Sequence, residues 1–347
     1  MTPMKSLTII VPTYNMQEYL QRCLDSLIVG DDLMEQLEVL VINDGSKDRS
    51  SEIAHEYEQR FPQTFRVVDK ENGNYGSCVN RGLAEAKGKY VKVLDADDWF
   101  DTAALTQFLS VLEDTNVDLV LTPFEICNTD RETVKFVTQD LPVGVVLDFA
   151  SFPPEQICRY SMHMIAYRTM LLREIGYVQT EGISYTDTEW THIPQYHVRT
   201  FVWYPFPVYK YLIGREGQSM DNAVLVRNIW KYEIICRHLV AYKKQLYEGC
   251  NRLAEELNSQ QIDFLASSIY RYCLVLSSPS RDDLTRLKQF DSFLKENCRD
   301  VYERTESLVL KKRVPIRYVH MWRRLGVRLP LDFSRELYRL IKYGRKN

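Results

Sequence analysis

Residues 74–99 read NYGSCVNRGLAEAKGKYVKVLDADDW, and this stretch decides the fold class. Residues 76–87 have a helical pattern, and residues 90–94 form an apolar run that is typical of a buried strand. Three aspartates follow the run within four residues. A helix that leads directly into a strand is one unit of an alternating α/β fold.

The same alternation runs through the first 125 residues. Asn15, with Glu18 three residues later, resembles a capping box and predicts that the first helix begins there. The order of elements predicts a mostly parallel sheet with helices on both faces, which binds ligands at the carboxyl ends of its strands. The apolar pattern of this first helix runs from Leu20 to Ile28, further strands are predicted at 7–11, 38–42, 65–68 and 117–121, and further helices at 48–60 and 102–114.

Composition limits the class of protein. With 347 residues, 45% hydrophobic and 26% charged, the chain is globular and long enough for two domains, which excludes disorder and a collagen-like structure. The eight cysteines form no CxxC pair, so a zinc ribbon or a disulfide framework is not expected. Neither an export signal nor a membrane-spanning run is found, and we expect a cytoplasmic protein with reduced thiols.

The chain is predicted to divide near residue 218, because helical periodicity dominates after about Asp221. We expect a catalytic domain over 1–218, with a nucleotide-binding half at 1–125 and an acceptor half at 126–218. A helical C-terminal region would occupy 219–347 and end in a basic amphipathic tail at 311–347.

The three aspartates are the strongest candidates for chemistry. Like charges this close need a compensating cation or full solvation, and oxygen ligands at a strand end suit Mg²⁺ or Mn²⁺. The alternative is a solvated acidic turn that caps the helix beginning near Thr102. The sequence contains neither GxGxxG nor GxxxxGK[ST], which disfavours Rossmann and Walker-type nucleotide sites. The aspartates are Asp95, Asp97 and Asp98.

Three other strand-end loops suit a nucleotide, although each alone is an ordinary turn. The first offers an aromatic ring for stacking on a base, the second a carboxylate that could accept an N–H from a pyrimidine, and the third a glycine-broken loop before a helix. These loops contain Pro12, Thr13, Tyr14 and Asn15; Asp44 with Gly45; and Asn72, Gly73 and Asn74.

The order of four motifs resembles that of family 2 glycosyltransferases with the GT-A fold. The motifs are VPTYN, NDGSKDRS, ENGNYGSCVNRGLAEAKGKY and LDADDW. The resemblance implies a mixed, mostly parallel sheet flanked by helices, followed here by the helical C-terminal region. It also implies an inverting transferase whose Asp97, with Asp95, binds Mn²⁺ or Mg²⁺. The nucleotide-sugar would contact Pro12, Thr13, Tyr14, Asn15, Asp44, Asn72, Gly73, Asn74, Asp95, Ala96 and Arg215.

The family's catalytic base usually lies in a Glu-Asp-x-x-aromatic segment, which here has Thr186 in place of the Glu. Asp187 is therefore the predicted base, with Glu189 as a second candidate and a solvated surface acid as the alternative. His163, His192 and His197 fall in the acceptor half and are expected to be mainly structural. The chain lacks the Gln-x-x-Arg-Trp motif of processive synthases, so transfer of a single sugar is expected.

The implied reaction moves a hexose or N-acetylhexosamine from a UDP-sugar to a glycan or lipid-linked glycan of a bacterial surface polysaccharide. A sugar nucleotidyltransferase is an alternative, but it should carry Gly-x-Gly-Thr-Arg after the first strand. A non-catalytic scaffold for polysaccharide assembly is another, and it should lack the acidic residues that are present here.

Charge is distributed unevenly along the chain. Residues 311–347 carry a net charge of +10 and residues 1–310 one of −13. Trp322 and Phe333 lie among basic residues in the tail, which fits a segment on the anionic inner face of the cell membrane. Docking on the protein's own acidic body is the alternative. Nucleic acid is not expected as a partner, because the catalytic half is acidic.

Overall fold

The computed structural model describes residues 5–157, 160–215, 217–218, 222–246, 251–311 and 314–326. The chain divides into two compact units. The first contains Met1–Gln218 with Glu248–Glu255, and the second contains Ser219–Tyr247 with Glu256–Asn347.

An eight-stranded sheet forms the centre of the first unit, in the order β3-β2-β1-β4-β10-β6-β11-β9. The strands β1 to β4 are parallel, whereas β10 runs antiparallel to both of its neighbours. The predicted mixed, mostly parallel sheet is therefore confirmed. The strands are β1 Leu7–Thr13, β2 Leu37–Asn43, β3 Phe65–Asp69, β4 Tyr90–Val93, β6 Leu119–Leu121, β9 Leu147–Asp148, β10 Ile165–Arg168 and β11 Thr200–Trp203.

Burial explains why the strand sequences are continuously apolar rather than alternating. Every residue of β1 and β2 is buried, because helices cover both faces of a parallel sheet. Helix α4 packs so closely on β1 that a Cβ at Gly82 would lie 2.6 Å from the side chain of Ile10. The helices of this unit are α1 Leu20–Asp25, α2 Asp31–Met34, α3 Ser50–Arg60, α4 Asn74–Glu85, α5 Thr102–Leu112, α6 Thr169–Glu174 and α7 Asp187–His192.

The predicted start of the first helix is wrong. Helix α1 begins at Leu20, and Asn15 has a left-handed backbone with φ 53°. The side chain of Asn15 accepts a hydrogen bond from the backbone N–H of Lys47 at 2.8 Å instead of capping a helix. A partner 32 residues away in sequence thus replaces the local capping box.

A second sheet, in the order β5-β12-β7-β8, adjoins the aspartates. Strand β5 directly follows Asp98, and it pairs antiparallel with β12. This pairing brings Tyr209 and Leu212 to the end of β4, although they lie more than a hundred residues further along the chain. The strands are β5 Trp99–Phe100, β7 Phe124–Cys127, β8 Thr133–Val137 and β12 Tyr209–Leu212.

The second unit is mainly helical. No helix among the residues described here is long and apolar enough to cross a membrane. Helix α10 starts with a complete capping box between Ser280 and Asp283. The remaining elements of the chain are α8 Asn222–Gln245, α9 Arg252–Arg271 with a π-helical turn at Tyr272–Leu276, α10 Arg281–Asn297, α11 Arg299–Glu306, the hairpin of β13 Val309–Lys311 and β14 Val314–Arg317, and α12 Tyr318–Leu325.

The structure does not place Trp322 on an exposed face of the tail, where it could contact a membrane. Trp322 is buried within the second unit, and the Arg323 guanidinium donates to Asp291 at 2.8 Å and to the hydroxyl of Tyr270 at 3.1 Å. The Arg323 ion pair satisfies a buried cation, so neither side chain faces solvent. Residues 327–347, which include Phe333, lie outside the described residues.

Candidate active site

Three aspartates at the carboxyl end of β4 form the centre of the site. Asp95, Asp97 and Asp98 each offer a carboxylate oxygen, and these oxygens all lie within 4.8 Å of one another. Asp98 is 1% exposed and accepts hydrogen bonds from the Tyr209 hydroxyl and the Leu212 backbone N–H, both at 2.7 Å. Asp98 therefore anchors β12, while Asp95 and Asp97 remain the candidates for binding a ligand.

The surroundings of Asp95 disfavour its ionised form. Its carboxylate accepts a hydrogen bond from the Tyr75 hydroxyl at 2.8 Å. Burial, and then the charge of Asp97, raises the pKa of Asp95 to about 7. Crowded, buried carboxylates favour a nearby cation, and an all-oxygen donor set matches the preference of Mg²⁺ and Mn²⁺. The residues at this position therefore fit such an ion.

Two arginines lie at the cluster. Arg215 Nε donates to the Asp97 carboxylate at 2.6 Å, and Arg22 donates to the Asp97 backbone carbonyl, also at 2.6 Å. Arg215 was expected near the nucleotide, and the structure places it on the aspartate that would bind the metal. Ala96, which lies between Asp95 and Asp97 in the sequence, is buried.

The end of β1 presents a mixed surface. Pro12 and Thr13 are buried at the strand end, and Tyr14 is 45% exposed. The Asn15 backbone N–H donates to the Ser46 hydroxyl at 3.0 Å, which ties this loop to the one after β2. Tyr14 is thus the side chain here that can stack on a base.

Asp44 is held by a residue that sequence reasoning missed. Its carboxylate accepts from Lys70 Nζ at 2.5 Å and from the Gly73 N–H at 2.9 Å, and Asn72 donates to its backbone carbonyl at 3.0 Å. Lys70 also donates to the Ser77 hydroxyl at 2.8 Å. A lysine two residues after the predicted strand at 65–68 was the signal available in the sequence.

The start of α4 brings Tyr75 to the aspartates. Asn74 has a left-handed φ of 67°, and Gly76 packs so tightly that a Cβ there would lie 1.9 Å from the Thr180 carbonyl oxygen. Tyr75 between them was not predicted. Its phenol feels the charges of Asp95 and Asp187, which both raise its pKa after the larger effect of burial.

Asp187 is the first residue of α7, and burial raises the pKa of its carboxyl to about 6. The charge of Asp187 is also one of those that raise the pKa of Asp95. The predicted base and the predicted metal ligands therefore act on one another electrostatically. Thr186, where the family carries Glu, is fully buried and accepts from the Gln179 amide at 2.9 Å.

Glu189 has a different environment. It is 1% exposed, and its two carboxylate oxygens accept from the backbone N–H and the hydroxyl of Thr180, each at 2.8 Å. Because both oxygens already accept hydrogen bonds, Glu189 is a poor candidate for the group that takes a proton from the acceptor.

The histidines of the acceptor half pack within the protein. Burial lowers the pKa of His192 to about 3 and also lowers that of His197. The ring of His163 lies 4.7 Å from that of Tyr209 and 4.5 Å from that of Tyr211. Lys92 is fully buried and donates to the backbone carbonyls of His163 and Ile165 at 2.7 and 3.1 Å.

Comparison with known proteins assigns this site to a family. Residues 8–176 match the family model described as Glycosyl transferase family 2. The chain carries a family 2 glycosyltransferase domain. This domain contains the aspartate cluster and every strand-end loop considered above, and the match confirms the resemblance seen in the sequence.

Relatives of this glycosyltransferase domain occur in bacteria. EpsJ of Bacillus subtilis (strain 168), named an uncharacterized glycosyltransferase, is 35% identical over 140 residues, which are 40% of this chain and 39% of EpsJ. TarS of Staphylococcus aureus (strain Mu50 / ATCC 700699), a poly(ribitol-phosphate) beta-N-acetylglucosaminyltransferase, is 25% identical over 324 residues, which are 90% of this chain and 52% of TarS. The chain spans between 31% and 39% of the length of the first three curated relatives it matches.

A solved structure supports the fold assignment. The crystal structure of residues 1–349 of S. aureus TarS in complex with UDP-GlcNAc superposes with a TM-score of 0.64 at 19% identity, covering 98% of this chain and 92% of that one. This likeness confirms the GT-A fold predicted for the glycosyltransferase domain, followed by a helical C-terminal region.

Proposed function

We propose that this chain transfers a single sugar from a UDP-sugar to a hydroxyl group of a glycan, with inversion at the anomeric carbon. The observation that carries the proposal is the pairing of a buried aspartate cluster at the end of β4 with Asp187, whose charge acts on that cluster. A metal-binding pair and a base of raised pKa are the two groups that this chemistry needs.

Asp187 is proposed as the base. With a pKa of about 6, its carboxyl is mostly ionised at neutral pH and is still basic enough to take a proton from the attacking hydroxyl. Attack would come from the face opposite the diphosphate, which inverts the anomeric carbon. Glu189 is assigned a supporting role, because both of its carboxylate oxygens accept hydrogen bonds from Thr180.

Asp97 and Asp95 are proposed to bind Mn²⁺ or Mg²⁺. A bound ion of this kind stabilises the negative charge that develops on a leaving diphosphate. Arg215 brings a further positive charge to the same position through its contact with Asp97.

The remaining residues of the donor site are proposed from their position around the strand ends. Tyr14 would stack on the uracil, and Asp44, oriented by Lys70, would accept its N–H. The wider set is Pro12, Thr13, Asn15, Asn72, Gly73, Asn74 and Ala96. A UDP-sugar as donor is supported by the similar fold of TarS, whose crystal structure contains UDP-GlcNAc.

The acceptor is proposed to be a glycan or lipid-linked glycan of a bacterial surface polysaccharide, in line with the relative TarS, named for transfer to poly(ribitol-phosphate). We place the reaction in the cytoplasm, which suits the free, buried thiols of Cys23, Cys78, Cys127, Cys236 and Cys298. Attachment to the inner membrane face would depend on residues 327–347.

A donor screen tests the proposal. UDP-glucose, UDP-galactose, UDP-GlcNAc, UDP-GalNAc and a GDP-sugar are each added with Mn²⁺, and the melting temperature is measured with and without EDTA. We expect one or more UDP-sugars to raise it in a metal-dependent manner, because a ligand that binds only the native state stabilises that state. Release of UDP with acceptor glycans then measures turnover. Stabilisation by the GDP-sugar alone, or by none, would contradict the assignment.

A further inference from the structure

The structure contains a hydrogen-bonded brace between the two halves of the proposed site. The brace consists of residues 179–182, which connect the start of α4 with α7. On the α4 side, Asn80 bonds to the backbone of Gln179 in both directions, each at 2.8 Å, and the Gly182 N–H donates to the Gly73 carbonyl, also at 2.8 Å. The brace thus follows α4 from its first turn.

Backbone contact makes this attachment tight. The Thr180 carbonyl oxygen approaches Gly76 so closely that a Cβ at that position would lie only 1.9 Å away. Tyr75, the neighbour of Gly76, donates its hydroxyl to Asp95. Any shift of Thr180 is therefore transmitted to the turn of helix that holds Tyr75 against the aspartate cluster.

On the α7 side, the brace is held by one carboxylate. One carboxylate oxygen of Glu189 accepts a hydrogen bond from the Thr180 N–H, and the other accepts one from the Thr180 hydroxyl. The Gln179 amide donates to the Thr186 hydroxyl at 2.9 Å, directly before Asp187. A buried carboxylate with two donors from one residue defines both distance and direction, which a single bond does not.

We propose that Glu189 is a positioning residue: through Thr180 it sets the place of Asp187, at the start of α7, relative to Tyr75 and Asp95. This inference rests on the proposed function, in which Asp187 takes the acceptor proton. It assigns to Glu189 the orientation of the base and not proton transfer itself. Displacement of a reacting group by about 1 Å costs roughly 10²-fold in rate, so such a brace matters for turnover.

The test compares variants of the full chain. In Glu189→Gln, one carboxylate oxygen becomes an NH₂ group that cannot accept a hydrogen bond, so one of the two acceptors for Thr180 and the negative charge are lost at nearly constant volume. We expect kcat to fall by roughly 10- to 100-fold, while the donor KM and the Kd for UDP with Mn²⁺ change by less than about twofold. Glu113→Gln is the matched control, because Glu113 is exposed at the end of α5 and lies outside the brace, and it should behave as wild type.

A second pair of variants keeps the test valid if Glu189→Gln does not fold. Thr180→Val removes the hydroxyl donor, and Thr180→Ser retains it. We expect Thr180→Val to lower kcat and Thr180→Ser to restore it. An unchanged kcat in Glu189→Gln, a rise in donor KM without a fall in kcat, or equal damage from both Thr180 variants would overturn the inference.

Hydrogen exchange separates this inference from the proposed function. Amides of residues 179–190 should exchange faster in Glu189→Gln than in wild type and in Glu113→Gln, whether or not any sugar is transferred. If wild type transfers no sugar, the proposed function fails. In that case faster exchange still supports the brace, and unchanged exchange contradicts it.

Discussion

Removal of the proposed base has a consequence that can be worked out as a function of pH. Asp187→Asn replaces the carboxylate with an amide of the same shape that cannot take a proton. We expect the transfer rate to fall by roughly 10² to 10⁴, the usual contribution of a positioned general base. The Kd for the UDP-sugar should remain near that of wild type, because no donor contact is assigned to Asp187.

The raised pKa of Asp187 predicts the shape of the wild-type profile. A base must be ionised to act, so activity falls as the pH drops through its pKa. With a pKa of about 6, roughly nine-tenths of the carboxyl is ionised at pH 7 and about one-tenth at pH 5. The value of kcat/KM should therefore fall about tenfold between these two pH values. An aspartate with its ordinary pKa of about 3.9 would lose less than about a tenth of its ionised form over the same range.

The assay measures UDP release at saturating Mn²⁺ between pH 5 and 8, for wild type, Asp187→Asn and Asp140→Asn. Asp140 is exposed, so its variant controls for the loss of one charge. Asp95, with a pKa of about 7, is the other group that could produce an acid limb. The residual activity of Asp187→Asn separates the effects of these two carboxyl groups, because the fall in activity near pH 6 should be absent from this variant. A variant that keeps both the limb and near-normal turnover would refute the assignment of the base.

Three further perturbations have distinct expected outcomes. Asp97→Ala should abolish transfer and the Mn²⁺-dependent part of UDP binding with little change in melting temperature. Asp98→Ala, in contrast, should lower the free energy of unfolding by about 1–3 kcal/mol in urea titrations, because it leaves the Tyr209 hydroxyl and the Leu212 N–H without their acceptor. Arg215→Ala should bind Mn²⁺ alone more tightly in calorimetry, since the Asp97 oxygen that Arg215 holds becomes available, and weaker Mn²⁺ binding would show that the contact does not compete. Lys92→Met tests the buried lysine: because burial lowers the pKa of Lys92 to about 7, the unfolded chain binds one more proton than the folded one between pH 7 and about 10.4. The free energy of unfolding of wild type should therefore rise with pH in that window by about 1.4 kcal/mol per unit more than that of Lys92→Met, and parallel curves would mean that Lys92 titrates normally.

Much of the donor half could be predicted from the sequence, because its signals are local. A strand buried on both faces is predominantly apolar, and such runs mark β1, β2 and β4 without reference to the rest of the chain. Parallel strands also end at one edge of the sheet, so residues directly after them, such as Asp44 and Asp97, can be placed at a common site. The order of elements and the position of the acidic cluster follow from this rule.

The tertiary structure alone decided which of these side chains act together. Asp98 accepts a hydrogen bond from β12, and Arg215 donates to Asp97, which lies 118 residues away in the sequence. Asn15 bonds to the next loop rather than capping a helix. Buried polar groups must find partners, and the sequence does not say which of several distant donors or acceptors will be nearest. The raised pKa of Asp187 and the use of Glu189 by Thr180 arise from burial and packing, which exist only once the chain is folded.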